Sequence, residues 1–113
     1  VSTFWLMNLP TTDPAFDALH RVAEFDPDGF PALRNAHQQA VMDAAWGRDL
    51  ETLDERAEEL REFAGHDVEP RDQYEAEVWR RDELEALGYA LGVTAVRVAL
   101  VEHREALVLS GAA

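Results

Sequence analysis

Three side chains near the start of the chain have the spacing of metal ligands: Asp17-x-x-His20 and His20-x-x-x-Glu24. Residues three and four apart share a helix face, so one face would carry two carboxylates and an imidazole. Di-iron carboxylate bundles use a Glu-x-x-His on each of two helices together with further glutamates. Here there is one imperfect copy. His37, His66 and His103 have no carboxylate three residues before them. The histidines read as surface or interfacial side chains, and no metal ligand is assigned.

Other chemistry is equally sparse. The chain has no cysteine, which excludes thiolate metal sites, disulfides and thiol nucleophiles. The glycines are scattered, so no phosphate-cradling loop is formed. Ser2 and Ser110 lie near the ends, poor places to position a nucleophile. Carboxylates are abundant, but general acid–base work needs a pair whose pKa values are driven apart, usually by burial. Asp43, set among Ala40, Val41, Ala44 and Ala45, is the acid best placed for partial burial, against the plainer reading of an ordinary helix-flank aspartate. No catalytic residue and no cofactor is assigned.

Charge is the stronger signal. There are 23 Asp and Glu against 10 basic residues, all of them arginine, for a net charge of −13. Most of the excess lies between Arg48 and Glu85, while Ala86–Ala113 has two acids and two arginines and is strongly apolar. Ile and Lys are both absent, a pattern that GC-rich coding produces. The acidity therefore has a proteome-wide explanation beside any functional one.

The elements that would position these groups are helical. Asp13 and Pro14 open a first helix through a capping side chain and a first-turn proline, and Asp26-Pro27-Asp28-Gly29 ends it. A second helix is expected over Pro31 to Trp46, with small inward residues that allow close approach and Gly47 as its stop. The third, Asp49 to Ala64, has Leu50, Leu53, Ala57, Leu60 and Ala64 on one face. Its other face carries Glu51, Asp54, Glu55, Glu58, Glu59 and Glu62. Four acidic pairs there lie four residues apart, each costing a few tenths of a kcal/mol. Arg56 and Arg61 offset part of this through Glu59 and Glu58. Pro70 opens a fourth helical region, and 70–91 reads as either one helix or two. Residues 93–109 fit a helix, or a helix followed by a short strand. The aromatic residues Trp5, Trp46, Trp79, Phe4, Phe16, Phe25, Phe30, Phe63 and Tyr74 are expected to build the core.

Leu87-Gly88-Tyr89-Ala90-Leu91-Gly92-Val93-Thr94, followed by Val98 and Val101, resembles the core of a helix-turn-helix. The resemblance implies a crossing at Gly88, a turn at Gly92, a cap at Thr94, and Val98 and Val101 facing inward. The implied recognition helix offers only Arg97 to a phosphate or a base edge, and duplex binding draws much of its affinity from cations.

These observations imply an all-α, mainly α, single small domain over residues 1–113, with four to five helices and room for a short terminal strand. The leading expectation is a non-enzymatic protein–protein interaction module, either an accessory or regulatory subunit or a self-associating homodimer. Leu84, Leu87, Val96 and Leu100 would supply its apolar contact, and Glu51, Asp54, Glu55, Glu58, Glu59 and Glu62 its acidic one. A second reading is an acidic nucleic-acid mimic or antitoxin-like inhibitor of a basic nucleic-acid-binding protein. The third is a helix-turn-helix DNA-binding regulator built on residues 84–101. Nucleic acid is not an expected partner under the leading reading. No apolar stretch is expected to approach the roughly 20 residues that span a bilayer, and the Phe4–Met7 run is too short for a signal-peptide core. A cytoplasmic location with no membrane partner is the corresponding expectation.

Overall fold

The structure is a computed structural model that describes the backbone of residues 14–111 and the side chains from residue 20 onward. The capping positions before Pro14 and the aromatic side chains Phe4, Trp5 and Phe16 lie outside the described residues. Four helices follow in order: α1 (Pro14–Phe25), α2 (Phe30–Ala45), α3 (Leu50–Ala64) and α4 (Gln73–Leu109). No strand occurs among the described residues, so 93–109 takes the helical alternative.

Local chemistry explains the shorter helices. α2 ends in a Schellman motif: Gly47, at φ +98°, donates to the Ala44 carbonyl, and Arg48 donates to that of Asp43. Asp49 caps α3 by accepting from the Thr52 N–H at 2.8 Å. That bond holds the Asp49 carboxyl below its usual pKa. α4 begins three residues later than Pro70 suggests. Asp72 caps it, accepting from the Glu75 N–H at 2.8 Å, and Arg71 pairs with Glu75 across the first turn.

The largest correction concerns α4. It runs unbroken for 37 residues, about 55 Å at 1.5 Å per residue. The 70–91 region is not split into two helices, and Gly92 makes no turn. Gly88 and Gly92 sit inside the helix because their missing side chains let α4 lie against α2. A Cβ at Gly88 would overlap the Leu33 carbonyl, and one at Gly92 would fall 2.6 Å from the His37 carbonyl oxygen. Ala40, one of the small inward α2 residues anticipated from sequence, completes this close contact at Gly92. A helix-turn-helix on residues 84–101 is therefore absent, because glycine here serves helix packing rather than chain reversal.

The core is mainly aliphatic. Ala40, Val41, Ala44, Ala45, Leu53, Tyr89, Val93, Val96 and Ala99 form its buried cluster, walled by Leu50, Ala57, Leu60 and Leu100. Tyr89 is its aromatic member, whereas Phe25, Trp46, Phe63 and Tyr74, expected in the core, are exposed. Two others find lateral partners. Trp79 stacks on His66 with ring centroids 3.9 Å apart, and Phe30 lies under the Arg34 guanidinium.

α4 also corrects the hydropathy expectation. It contains an 18-residue window of mean hydropathy 1.6, long and apolar enough to cross a membrane by length and composition. In the fold it is the central helix against which α2 and α3 pack.

Candidate functional site

Between Leu84 and Val101, where Glu85 and Arg97 are its charged residues, α4 is apolar around most of its circumference, and a helix of that kind is ordinarily buried on all sides. Here one side is covered. Tyr89, Val93, Val96 and Ala99 face α2 and α3, while the opposite side carries Leu87, Val98 and Val101 at 47%, 37% and 50% exposure. Leu87, Leu91, Thr94, Val98, Val101, Glu105 and Val108 alternate at four- and three-residue steps. That is the 3.5-residue period of a two-helix seam, with Glu105 its single charged member.

The four apolar residues expected at the interface separate. Val96 is fully buried in the core and cannot meet a partner. Leu100 packs against the core from its edge. Leu84 is half-buried against Gly29 in the α1–α2 turn. Leu87 alone projects outward. Sequence reasoning passed over Val98, Val101 and Val108 as surface residues, because the helix-turn-helix pattern turned Val98 and Val101 inward. The signal that locates them is the 3.5-residue period counted from Leu87.

The six acids of α3 are all exposed, as expected. Three have arginine partners. Arg61 meets Glu58 at 2.7 Å and Arg56 meets Glu59 at 3.4 Å, the two i,i+3 pairs anticipated from spacing. Arg97 reaches across from α4 to Asp54 at 2.7 Å. The one side chain suited to a phosphate is thus engaged in tying α4 to α3. Among the described residues Glu51, Glu55 and Glu62 make no ion pair.

Between α3 and α4 runs an open groove of about 600 Å³. It is lined by Ala57, Ala64, Ala86 and Ala90 with the exposed Leu87 at its lip, and by Asp54, Glu58, Arg61 and Glu83. The groove exists because alanine occupies positions where larger side chains would close the gap. A smaller polar cleft lies between the α1–α2 turn and the first turns of α4, where Arg80 meets Asp26 at 2.8 Å and fastens α4 to that turn.

Asp43 is partly buried, as its apolar neighbours suggested. Its carboxylate accepts from the Tyr89 hydroxyl at 2.7 Å and from Gln39 Nε2 at 2.9 Å. Burial, and then the carboxylate itself, push the Tyr89 hydroxyl well above its ordinary pKa. The arrangement clamps α2 to α4 and presents no nucleophile to solvent. At the amino-terminal His20 set, His20 and Glu24 are exposed, and the Asp17 side chain lies outside the described residues. No group of three or more metal-ligating side chains occurs among the described residues.

The α3–α4 groove is bordered by Leu87 of the outward seam and by Asp54 and Glu58 of the acidic row. No family model matches this chain, and no curated protein or solved structure matches it either.

Proposed function

We propose that this protein is a non-enzymatic protein–protein interaction module that presents the outward side of α4 to an accessory partner or to a second copy of itself. The observation that carries the reading is the exposed seam from Leu87 to Val108 on a helix whose other side already forms the core. Covering exposed aliphatic surface releases about 25 cal/mol per Å², and α4 offers several such side chains in register. The acids of α3 add long-range attraction and selectivity rather than raw affinity. A cytoplasmic setting is part of the same proposal.

The test is a paired variant, Val98→Glu with Val101→Glu, compared with the parent chain in sedimentation and in affinity capture from cell extract, eluted first with salt and then with detergent. The parent should form a dimer or retain a stoichiometric partner until detergent, and the variant should lose it while keeping its helical circular dichroism. A parent chain that stays monomeric at high concentration and retains nothing in either step would refute the reading.

The unpaired carboxylates of Glu51, Glu55 and Glu62 favour a second reading, an acidic mimic that blocks a basic nucleic-acid-binding protein. B-DNA carries about one charge per 1.7 Å of axis, and α3 approaches a fraction of that density. Salt-labile capture, abolished by reversing Glu55, Glu58 and Glu59, is its expected outcome. Capture that survives those reversals eliminates it.

A further inference from the structure

We propose that the α3–α4 groove receives a cationic amphipathic helix from a partner protein. The proposal rests on the protein-binding reading above and names the chemistry of one occupant.

Shape argues for a helix. The floor is laid by Ala57 and Ala64, seven residues apart on α3, and by Ala86 and Ala90, four apart on α4. Those spacings are close to whole helical turns, so the small residues form two rows of shallow depressions, about 10 Å long on α3 and about 6 Å on α4. A third helix presents apolar side chains at the same i,i+3 and i,i+4 intervals, and ridges of that kind seat in grooves between helices. Two large aliphatic anchors would occupy the floor, with Leu87 at its outer lip.

Charge argues for a cationic one. Glu83, on the α4 edge, has no ion pair among the described residues. On the α3 edge Asp54 and Glu58 are matched by Arg97 and Arg61, both of them at the surface. Glu51, Glu55 and Glu62, outside the groove lining on the next row around α3, have no ion pair among the described residues. A helix seated in the groove would therefore run between carboxylates on both sides. Arginine or lysine flanking its apolar stripe would pair with Glu83 and with the outer α3 row. An acidic helix, an anionic lipid surface and the acidic face of a second copy would all meet repulsion there.

The experiment uses a fluorescent 18-residue synthetic helix with leucine at i, i+4, i+7 and i+11 and arginine at its flanks, titrated with the full chain by anisotropy. Binding should weaken steeply as salt rises from about 50 to about 500 mM. Ala90→Trp fills the groove from an exposed position and should raise the dissociation constant about tenfold or more. Glu83→Lys, which leaves the floor intact, should weaken binding several-fold. Glu102→Lys, outside the groove, should leave it unchanged.

Wild-type affinity in Ala90→Trp would overturn the proposal, as would equal weakening by Glu102→Lys and Glu83→Lys. A chain that dimerises and is made monomeric by Ala90→Trp would assign the groove to a second copy instead, and overturn it too. Partner capture lost in Val98→Glu/Val101→Glu but retained in Ala90→Trp would leave the broader interaction reading standing while removing the groove from it.

Discussion

The two sides of α4 are built from nearly the same residue types and meet opposite fates. On the inner side Gly88, Gly92, Val96 and Ala99 bring α4 against α2 so closely that a single Cβ at Gly88 would strike backbone. On the outer side Leu87, Val98 and Val101 face water. Apolar character alone therefore does not assign a residue to the core. Backbone access does: Gly88 and Gly92 let one side of α4 meet the α2 backbone directly, and the outer seam has no glycine.

Substitutions that enlarge the inner side break this contrast most severely. Gly92→Leu should destabilise the fold by about 3 kcal/mol or more, because the added side chain meets the His37 carbonyl and Ala40 with no void to enter. Urea denaturation would measure it, and a midpoint equal to the parent's would show that α2 and α4 can separate freely. Even Gly92→Ala should be net destabilising, although alanine favours helix by about 1 kcal/mol over glycine.

Truncation sharpens the same contrast at a somewhat smaller scale. Leu33→Ala, in the α2 wall that meets Gly88, should cost about 2–5 kcal/mol by leaving a cavity. Leu87→Ala, on the outer side, should fall within about 0.5 kcal/mol of the parent in the isolated chain. Equal losses at the two sites would mean that the outer seam is covered in solution.

Tyr89→Phe probes the clamp between α2 and α4 and should cost about 1 kcal/mol for the lost hydrogen bond to Asp43. Because the folded hydroxyl titrates above the unfolded one, its contribution is complete below about pH 10. It is lost as pH rises beyond that value, where only the unfolded chain deprotonates. Unfolding midpoints at about pH 9 and pH 11 should therefore diverge more in the parent than in Tyr89→Phe. A Tyr89 that deprotonates as readily folded as unfolded would give the two proteins the same alkaline slope.

The smallest effect belongs to the seam itself. Val101→Ser should leave thermal stability within about 0.5 kcal/mol and change only association. A large stability loss would place Val101 inside the fold.

Much of the architecture was legible before the structure. Asp49 caps α3 and Gly47 stops α2 where their side-chain chemistry places them, and Arg56–Glu59 and Arg61–Glu58 form at the spacing that suggested them. Other features were read the wrong way round. Val96 looked like a contact residue and lies in the core, while Val98 and Val101 looked inward and face out. Trp46 and Phe63 looked like core and are exposed. The α3–α4 groove had no local signal at all, since alanines 57, 64, 86 and 90 become a groove only when two helices lie together.

Sequence by itself determined that this chain is mainly helical, where α2 and α3 end, and that its acids concentrate on one face of α3. Capping, chain reversal and i,i+3 pairing are decided by residues within a turn of one another, so they are written locally. Only the tertiary structure decided that α4 is one helix, which of its sides is buried, and that Leu87 of its exposed seam borders one groove with Asp54 and Glu58 of the acidic row. Apolar residues recur at heptad spacing on two opposite sides of α4, from Leu87 and from Tyr89, so the period alone does not say which side is buried. The orientation of α4 is set by where another backbone can approach, and that depends on its glycines meeting the carbonyls of α2.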